Sequence, residues 1–181
     1  MPTNVVAAGH AVDHTVRTLA GLLVRERGVT LTVHRGARDA GDGATPAVHA
    51  LHAALSDGPL VVLALGPLTN IAAALRERPD LRSEVAQVIA VMGRREGHSF
   101  HPIEGGSAPS WFGHGPVFTD FNFSKDPEAA AQLVRMGVPL TLVPYEAARE
   151  VSLTETDLSG MSAAGATAAW VAGRAQGWLD Y

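Results

Sequence analysis

Short apolar runs alternate along this chain with longer segments of helical periodicity. The apolar runs cover residues 4–8, 29–33, 60–65, 85–92 and Leu140–Val143, and four of the five are followed directly by glycine or proline. Strands that alternate with helices at this spacing predict one α/β domain with an open, mainly parallel sheet and helices on both faces.

Several helix boundaries are marked by their end residues. Pro46 opens a short helix, and residues 126–128, Asp-Pro-Glu, form a strong helix start that runs to Gly137. Residues 152–155, Ser-Leu-Thr-Glu, have the spacing of a capping box. We expect this box to begin a last helical region that reaches Trp178.

Polar segments follow three of the predicted strands. They are Gly9 with His10, residues 66–70 (Gly-Pro-Leu-Thr-Asn), and Met92 with the long loop that runs to Asn122. In open parallel sheets, ligands bind beyond the carboxyl ends of the strands. We therefore expect these segments to converge at one rim of the sheet.

Composition narrows the classes of protein to which the chain can belong. The chain has 181 residues, of which 46% are hydrophobic, and this favours a single globular domain over residues 1–181. The net charge of -4 gives no reason to expect a nucleic acid or a membrane as partner. Cysteine is absent, and no apolar run is long enough for a membrane span, so we expect a cytoplasmic protein with a small-molecule substrate.

Three segments carry a resemblance to a known family. LALGPLTNIAAALRERPDL, VIAVMGR and FTDFNFSKDPEAAAQLVRMGVPLTLV follow one another in the order and spacing of the inosine/uridine-preferring nucleoside hydrolases, which the chain resembles over roughly residues 4–160. The resemblance implies a Rossmann-related fold, a bound calcium ion and hydrolysis of the N-glycosidic bond of ribonucleosides.

The resemblance also implies roles for individual residues. Thr69 would offer its backbone carbonyl to calcium, and Met92 and Asn122 would contact the ribose. Asp120 stands where the family has glutamate. His10 and His114 stand where it has asparagine, and histidine can do acid–base work near neutral pH. The predicted catalytic residues are therefore His10, His114 and Asp120, and the predicted substrate-binding residues are Met92, Asn122 and Trp111, whose ring could stack on a flat base.

The chain departs from the family at the metal. The acidic DxDxxxDD segment that follows the family's first strand is not found here. Calcium takes about six to eight oxygen ligands, more than one carbonyl of Thr69 can replace. We expect no cofactor, unless aspartates from another chain complete a calcium site. Lack of the first strand would also expose a sheet edge, which predicts a homo-oligomer or pairing with a complementary chain.

Two functional hypotheses follow. The first is hydrolysis of a ribonucleoside, or action on a related small cyclic substrate, by altered and possibly metal-free chemistry led by the two histidines and Asp120. The alternative is a non-catalytic, degenerate paralogue or subunit that binds a ligand or a partner chain. The motifs also have a purely structural interpretation, in which residues 66–70 form a turn and Thr69 or Asn70 caps a helix.

Overall fold

The computed structural model describes residues 5–8, 13–94 and 120–179. The strands are β1 (Val5–Ala8), β2 (Thr32–Arg35), β3 (Leu60–Ala64), β4 (Val85–Val91) and β5 (Leu140–Val143). The helices are α1 (Asp13–Arg27), α2 (Pro46–Asp57), α3 (Thr69–Glu77), α4 (Phe121–Lys125), α5 (Pro127–Met136), α6 (Tyr145–Ala148), α7 (Glu155–Ala163) and α8 (Ala166–Leu179), with a 3-10 helix at Pro79–Glu84. Within these ranges, no helix combines the length and the apolar character that crossing a membrane requires.

The strands form two parallel groups. β1 pairs with β2, so that Val6 lies opposite Val33, and β4 lies between β3 and β5. All three strand pairs of the described residues are parallel. The predicted α/β class with a mainly parallel sheet is confirmed, although the pairing divides the described strands into a sheet of two and a sheet of three.

The main core lies between the three-stranded sheet and the helices α3 and α5. Its fully buried members include Leu68, Leu75, Val88 and Leu133. Burying a leucine or valine side chain is worth about 1.5–3 kcal/mol. A smaller cluster joins α2 to α3 through the residues Val48, Leu51, Ala73 and Ala74. One continuous helical layer therefore runs from α2 through α3 to α5.

The opposite face of the three-stranded sheet is open at β3. Val61 and Leu63 are 58% and 65% exposed, whereas Val62 and Ala64, which point to the other side, pack against the core. Successive side chains of a strand point to opposite faces, which explains the alternation. Leu65, just past the strand, is 75% exposed.

The last two helices correct one prediction. The capping box lies at Thr154 and Asp157, two residues later than the predicted box at residues 152–155, and α7 begins at Glu155. Both pairs of residues have the same spacing, so the sequence pattern did not separate them. The expected single helical region is also divided into two helices, because Gly165, between α7 and α8, has a φ of 147°, which is not a helical conformation.

Candidate functional site

Asn122 joins the carboxyl ends of two neighbouring strands. Its side-chain Nδ2 donates a 2.7 Å hydrogen bond to the carbonyl of Val91, the last residue of β4. The same nitrogen lies 3.5 Å from the carbonyl of Leu65, just beyond the end of β3. We call this edge, formed by the carboxyl ends of β3, β4 and β5, the carboxyl rim. Asn122 is therefore placed at the rim that the sequence predicted, and its amide N–H groups point toward the backbone.

Asp120 is fixed by two backbone donors at the same rim. Its Oδ1 accepts a 2.7 Å hydrogen bond from the N–H of Phe123 and so caps α4. Its Oδ2 accepts from the N–H of Gly93 at 3.1 Å. A carboxylate oxygen has two lone pairs, so each oxygen retains capacity for another donor. Asp120 is thus a half-buried carboxylate in a fixed orientation.

Met92 and Gly93 form the turn at the end of β4. Gly93 has a φ of 96°, a conformation that favours glycine, and its carbonyl accepts a 2.9 Å hydrogen bond from the N–H of Tyr145. Met92 is only 4% exposed and belongs to the main core. The structure places Met92 beneath the rim; its predicted contact with ribose stays a prediction.

Thr69 and Asp126 form a buried pair beside the rim. Thr69 begins α3, and its hydroxyl donates a 2.7 Å hydrogen bond to Oδ2 of Asp126, which is 3% exposed. Asp126 caps α5 by accepting from the N–H of Ala129 at 3.0 Å, and its Oδ2 also lies 3.4 Å from the N–H of Gly41. Three donors therefore face one buried carboxylate, which is the arrangement that a buried charge requires.

The loop that follows β2 is hydrogen-bonded to the start of α3, beside the Thr69 and Asp126 pair. The N–H of Ala37 donates a 2.9 Å hydrogen bond to Oδ1 of Asn70, at the start of α3. Within the loop, the backbone N–H groups of Asp39 and Arg38 hold the pKa of the Asp42 carboxyl below its usual value. The carboxyl end of β2 and that of β3 consequently lie at one edge of the molecule.

A cavity of about 240 Å³ opens beside the buried pair. Its lining includes Gly41, Asp42, Thr69, Arg76, Asp126 and Gln132, but not Asp120, Asn122 or Met92. Pockets that enclose small molecules usually measure roughly 300–1,000 Å³. The residues predicted to contact the sugar, Met92, Asp120 and Asn122, therefore lie outside this cavity.

The described residues do not make a calcium site. Across residues 5–8, 13–94 and 120–179, no three His, Asp or Glu side chains come together in a group that suits a metal ion. Asp126, the carboxylate nearest Thr69, already faces three donors of the protein. The predicted role of the Thr69 carbonyl as a ligand stays a prediction, and the other ligands would come from outside these ranges.

Three predicted site residues lie outside the described residues. His10 precedes α1, and Trp111 and His114 belong to residues 95–119. Of the four described candidates, Asp120 and Asn122 are both bonded to the backbone at the end of β4. Met92 lies in the core below this rim, and Thr69 belongs to the neighbouring pair with Asp126. Their functional roles stay predictions.

Asp126 is the residue whose importance the sequence understated. As the aspartate before Pro127 and Glu128, it is recognisable as a helix cap, which the structure confirms. Its burial and its bond to Thr69, 57 positions earlier in the chain, depend on tertiary packing. The joint occurrence of the Gly-Pro-Leu-Thr-Asn and Asp-Pro-Glu segments was the only available signal.

A comparison with known protein families shows that one family model matches nearly the whole chain. The model described as inosine-uridine preferring nucleoside hydrolase matches residues 5–179. Among curated proteins, the pyrimidine-specific ribonucleoside hydrolase RihA of Shewanella woodyi is 28% identical over 108 residues, which are 60% of this chain and 30% of that protein. The pyrimidine-specific ribonucleoside hydrolase RihB of Escherichia coli O1:K1 is 30% identical over 113 residues, or 62% of this chain and 31% of the relative.

Solved structures show the same fold. The plant nucleoside hydrolase PpNRh1 aligns with a TM-score of 0.68 and 19% identity, covering 91% of this chain and 56% of that one. The chain thus spans about a third of the length of these curated relatives and little more than half of this structural neighbour.

Proposed function

Because the chain belongs to the inosine-uridine preferring nucleoside hydrolase family, we propose that it takes part in hydrolysing the N-glycosidic bond of a ribonucleoside. In this reaction the C1′–N bond of the nucleoside breaks, the oxygen of a water molecule bonds to C1′, and the base nitrogen gains a proton. The observation that carries the proposal is that Asp120 and Asn122 are both bonded to the backbone at the end of β4, on the carboxyl rim of a parallel sheet.

Asp120 is the residue that we assign to a sugar hydroxyl. Backbone N–H groups of Gly93 and Phe123 fix both of its oxygens, so the carboxylate needs no reorganisation when a hydroxyl approaches. A hydrogen bond from a hydroxyl to an ionised carboxylate is short and strong. The same fixed charge also favours positive charge that develops on the sugar ring as the C1′–N bond weakens.

Asn122 is assigned to the neighbouring position on the sugar. Its amide nitrogen is directed to the backbone carbonyl of Val91, which leaves Oδ1 as the atom available to accept a hydroxyl. Placement of Asp120 and Asn122 on one short helical segment sets the distance between the two sugar contacts. Met92, below the rim, would support the apolar side of the ring.

We assign the proton transfers to His10 and His114, which lie outside the described residues. A neutral imidazole takes a proton from water, and an imidazolium gives one to the leaving base, so two histidines can supply both steps near neutral pH. Trp111 is assigned to the base, whose flat ring it would stack against. Calcium would be held by the backbone carbonyl of Thr69 together with carboxylates from beyond the described residues.

The test is release of free base from purified protein. Uridine and inosine are supplied separately, with added calcium and with a chelator, and each reaction is followed by separation of base from nucleoside. The proposal expects base release from the unchanged chain, and His114→Asn should abolish that release. No base release under any condition from the folded chain would overturn the proposal for the chain acting alone.

A second candidate function is supported by a specific observation. The Asn122 amide and both Asp120 oxygens already bind the backbone, and Met92 is buried in the core. Such contacts suit a structural rim as well as a reactive one, so the alternative is a non-catalytic protein that binds a ligand or a partner. Calorimetric titration with uridine or inosine separates the two, because binding without base release fits only the alternative.

A further inference from the structure

The cavity of about 240 Å³ lies between two walls that come from different parts of the chain. One wall is the loop after β2, at residues 40–42, and the other is formed by α3 and α5. Arg76, in the last turn of α3, and Glu128 and Gln132, on α5, are among its lining residues. The cavity is thus separate from the described residues assigned to the sugar, and its own chemistry can be considered independently.

The loop wall is held in place by side chains at both helices. The N–H of Ala44 donates a 3.2 Å hydrogen bond to Oε1 of Glu77, the last residue of α3. The N–H of Gly41 lies 3.4 Å from Oδ2 of Asp126, which caps α5, and a further loop N–H bonds to Asn70. Because the wall is fixed before a ligand arrives, binding costs little loop ordering.

Arg76 brings a positive charge to the cavity without an acidic partner. Its Nη1 donates a 3.2 Å hydrogen bond to Oε1 of Gln132, which is a neutral side chain. Across the part of the chain that the structure describes, no Asp or Glu forms an ion pair with Arg76. A guanidinium has several N–H donors in a fixed planar arrangement, and a carboxylate matches that arrangement well. The remaining donors of Arg76 are therefore available to an anionic group.

Two carboxylate oxygens at the same cavity are also available. Asp42 accepts from two backbone N–H groups of its own loop through Oδ2, and Glu128 accepts from Gln132 and Arg135 through Oε1. Among the described residues, Oδ1 of Asp42 and Oε2 of Glu128 have no hydrogen-bond partner. Ionised carboxylate oxygens bind a cationic N–H donor, such as an ammonium group, most strongly.

We propose that this cavity binds a small aliphatic zwitterion of the α-amino acid type, whose carboxylate pairs with Arg76 and whose ammonium group is bound by Asp42 and Glu128. A simple anion would be repelled by the two carboxylates, and a simple cation by the guanidinium, whereas a zwitterion suits both signs of charge. Ala40 and Ala129, which also line the cavity, offer apolar contact to the ligand's side chain.

The size of the cavity sets the size of the ligand. A volume of about 240 Å³ corresponds to about eight water molecules at roughly 30 Å³ each. L-valine has about that many non-hydrogen atoms, so it is the probe. Two analogues of similar shape each lack one charge: isovalerate has no amino group, and isobutylamine has no carboxylate.

Calorimetric titration of the purified chain at neutral pH compares the three compounds. We expect L-valine to bind, and isovalerate and isobutylamine each to bind at least about ten-fold more weakly, since each lacks one charge-assisted pair. Equal affinity for either analogue would overturn the proposal, because the cavity would then select only one sign of charge. No binding of L-valine by the folded chain would overturn it as well.

Two variants assign the charges to their side chains. Arg76→Gln should weaken L-valine at least about ten-fold without weakening isobutylamine, and Glu128→Gln should weaken L-valine without weakening isovalerate. The ion pair that Glu128→Gln breaks, with Arg135, is exposed, so the fold should persist. Arg25→Gln, on the exposed end of α1, is the matched control and should bind L-valine as the unchanged chain does.

L-valine binding that Arg76→Gln leaves unchanged would place the ligand elsewhere and sink the proposal. The inference is independent of the proposed hydrolysis, and the readout is heat of binding, not release of base from a nucleoside. Failure of this site therefore leaves the proposed hydrolysis as it was, and absence of base release does not bear on this site.

Discussion

The hydroxyl of Thr69 donates a 2.7 Å hydrogen bond to the buried carboxylate of Asp126, across the contact between α3 and α5. This bond connects the two sequence segments that most strongly indicated the family. It also fixes the start of α3 relative to the start of α5, which lie beside the carboxyl rim. Stability and site geometry are therefore coupled through one pair of side chains.

Thr69→Val tests that coupling, because valine has nearly the shape of threonine but no hydroxyl. Asp126 would keep its charge and lose one of three donors, and a hydrogen bond to a charged group is worth about 1.5–3 kcal/mol. We expect the free energy of unfolding in urea to fall by that amount. Arg78→Ala, which breaks an exposed ion pair with Asp80, is the control and should leave the urea midpoint nearly unchanged. Equal midpoints for Thr69→Val and the unchanged protein would show that the pair contributes nothing.

Asp120→Asn separates the structural role of this residue from its role with substrate. Asparagine still caps a helix, so α4 should persist with a cost of about 1 kcal/mol for the weakened bond to Gly93. Loss of the charge should lower kcat/KM for base release by about 10- to 100-fold.

The matched control for that variant is Asp57→Asn. Asp57 is an exposed carboxylate at the end of α2, just before the amino end of β3 and hence at the opposite edge of the sheet. The Asp57→Asn substitution removes the same charge without changing the rim, and this variant should retain full kcat/KM. If Asp120→Asn kept full activity while folding normally, Asp120 would be only a helix cap.

Asn122→Asp tests the bridge between the ends of β3 and β4. In the unchanged chain, the amide nitrogen of Asn122 donates a 2.7 Å hydrogen bond to the Val91 carbonyl. The substitution puts a carboxylate oxygen in place of that nitrogen, so two acceptors face each other. We expect a loss of about 1–3 kcal/mol of stability near neutral pH, since the partly buried carbonyl of Val91 loses its donor. Protonation restores a donor, so the deficit relative to Asn122→Ala should shrink as the pH falls toward about 4. Urea unfolding at both pH values provides the measurement, and a deficit that does not change with pH would contradict this account.

The stability of the carboxyl-terminal helices should depend on pH through the carboxyl group of Asp157. Its side chain accepts from the Thr154 hydroxyl at 2.6 Å and from the Thr154 N–H at 2.8 Å, and these bonds lower the pKa of the carboxyl below its usual value. A carboxyl with a lowered pKa in the folded state stabilises above its unfolded pKa of about 3.9 and loses that contribution as the pH falls through the folded value. Asp157→Asn should therefore be less stable than the unchanged chain near pH 6, and the difference should vanish in strong acid. Helicity measured during urea unfolding at each pH provides the test, and a constant difference would exclude this linkage.

Local sequence determined the elements and most of their ends. Apolar runs predicted the five strands that the structure describes, with β5 at its observed bounds and β2 displaced from residues 29–33 to Thr32–Arg35. Asp126, Pro127 and Gly137 marked both ends of α5, because capping and left-handed backbone depend on the residue type at one position. The box at Thr154 was missed by two residues, since two overlapping segments satisfy the same local rule.

Tertiary structure alone decided which of these elements share a sheet and which polar groups are already occupied. Among the described residues β1 pairs with β2, and β3 pairs with β4, and an apolar run carries no record of its neighbours. Likewise, the sequence placed Asp120 and Asn122 at a strand end, but only the fold shows their bonds to Gly93 and Val91. Hydrophobic periodicity and helix caps depend on residues a few positions apart, so the sequence alone indicates them. Strand pairing and burial join residues that are far apart in the chain, so only the tertiary structure shows them.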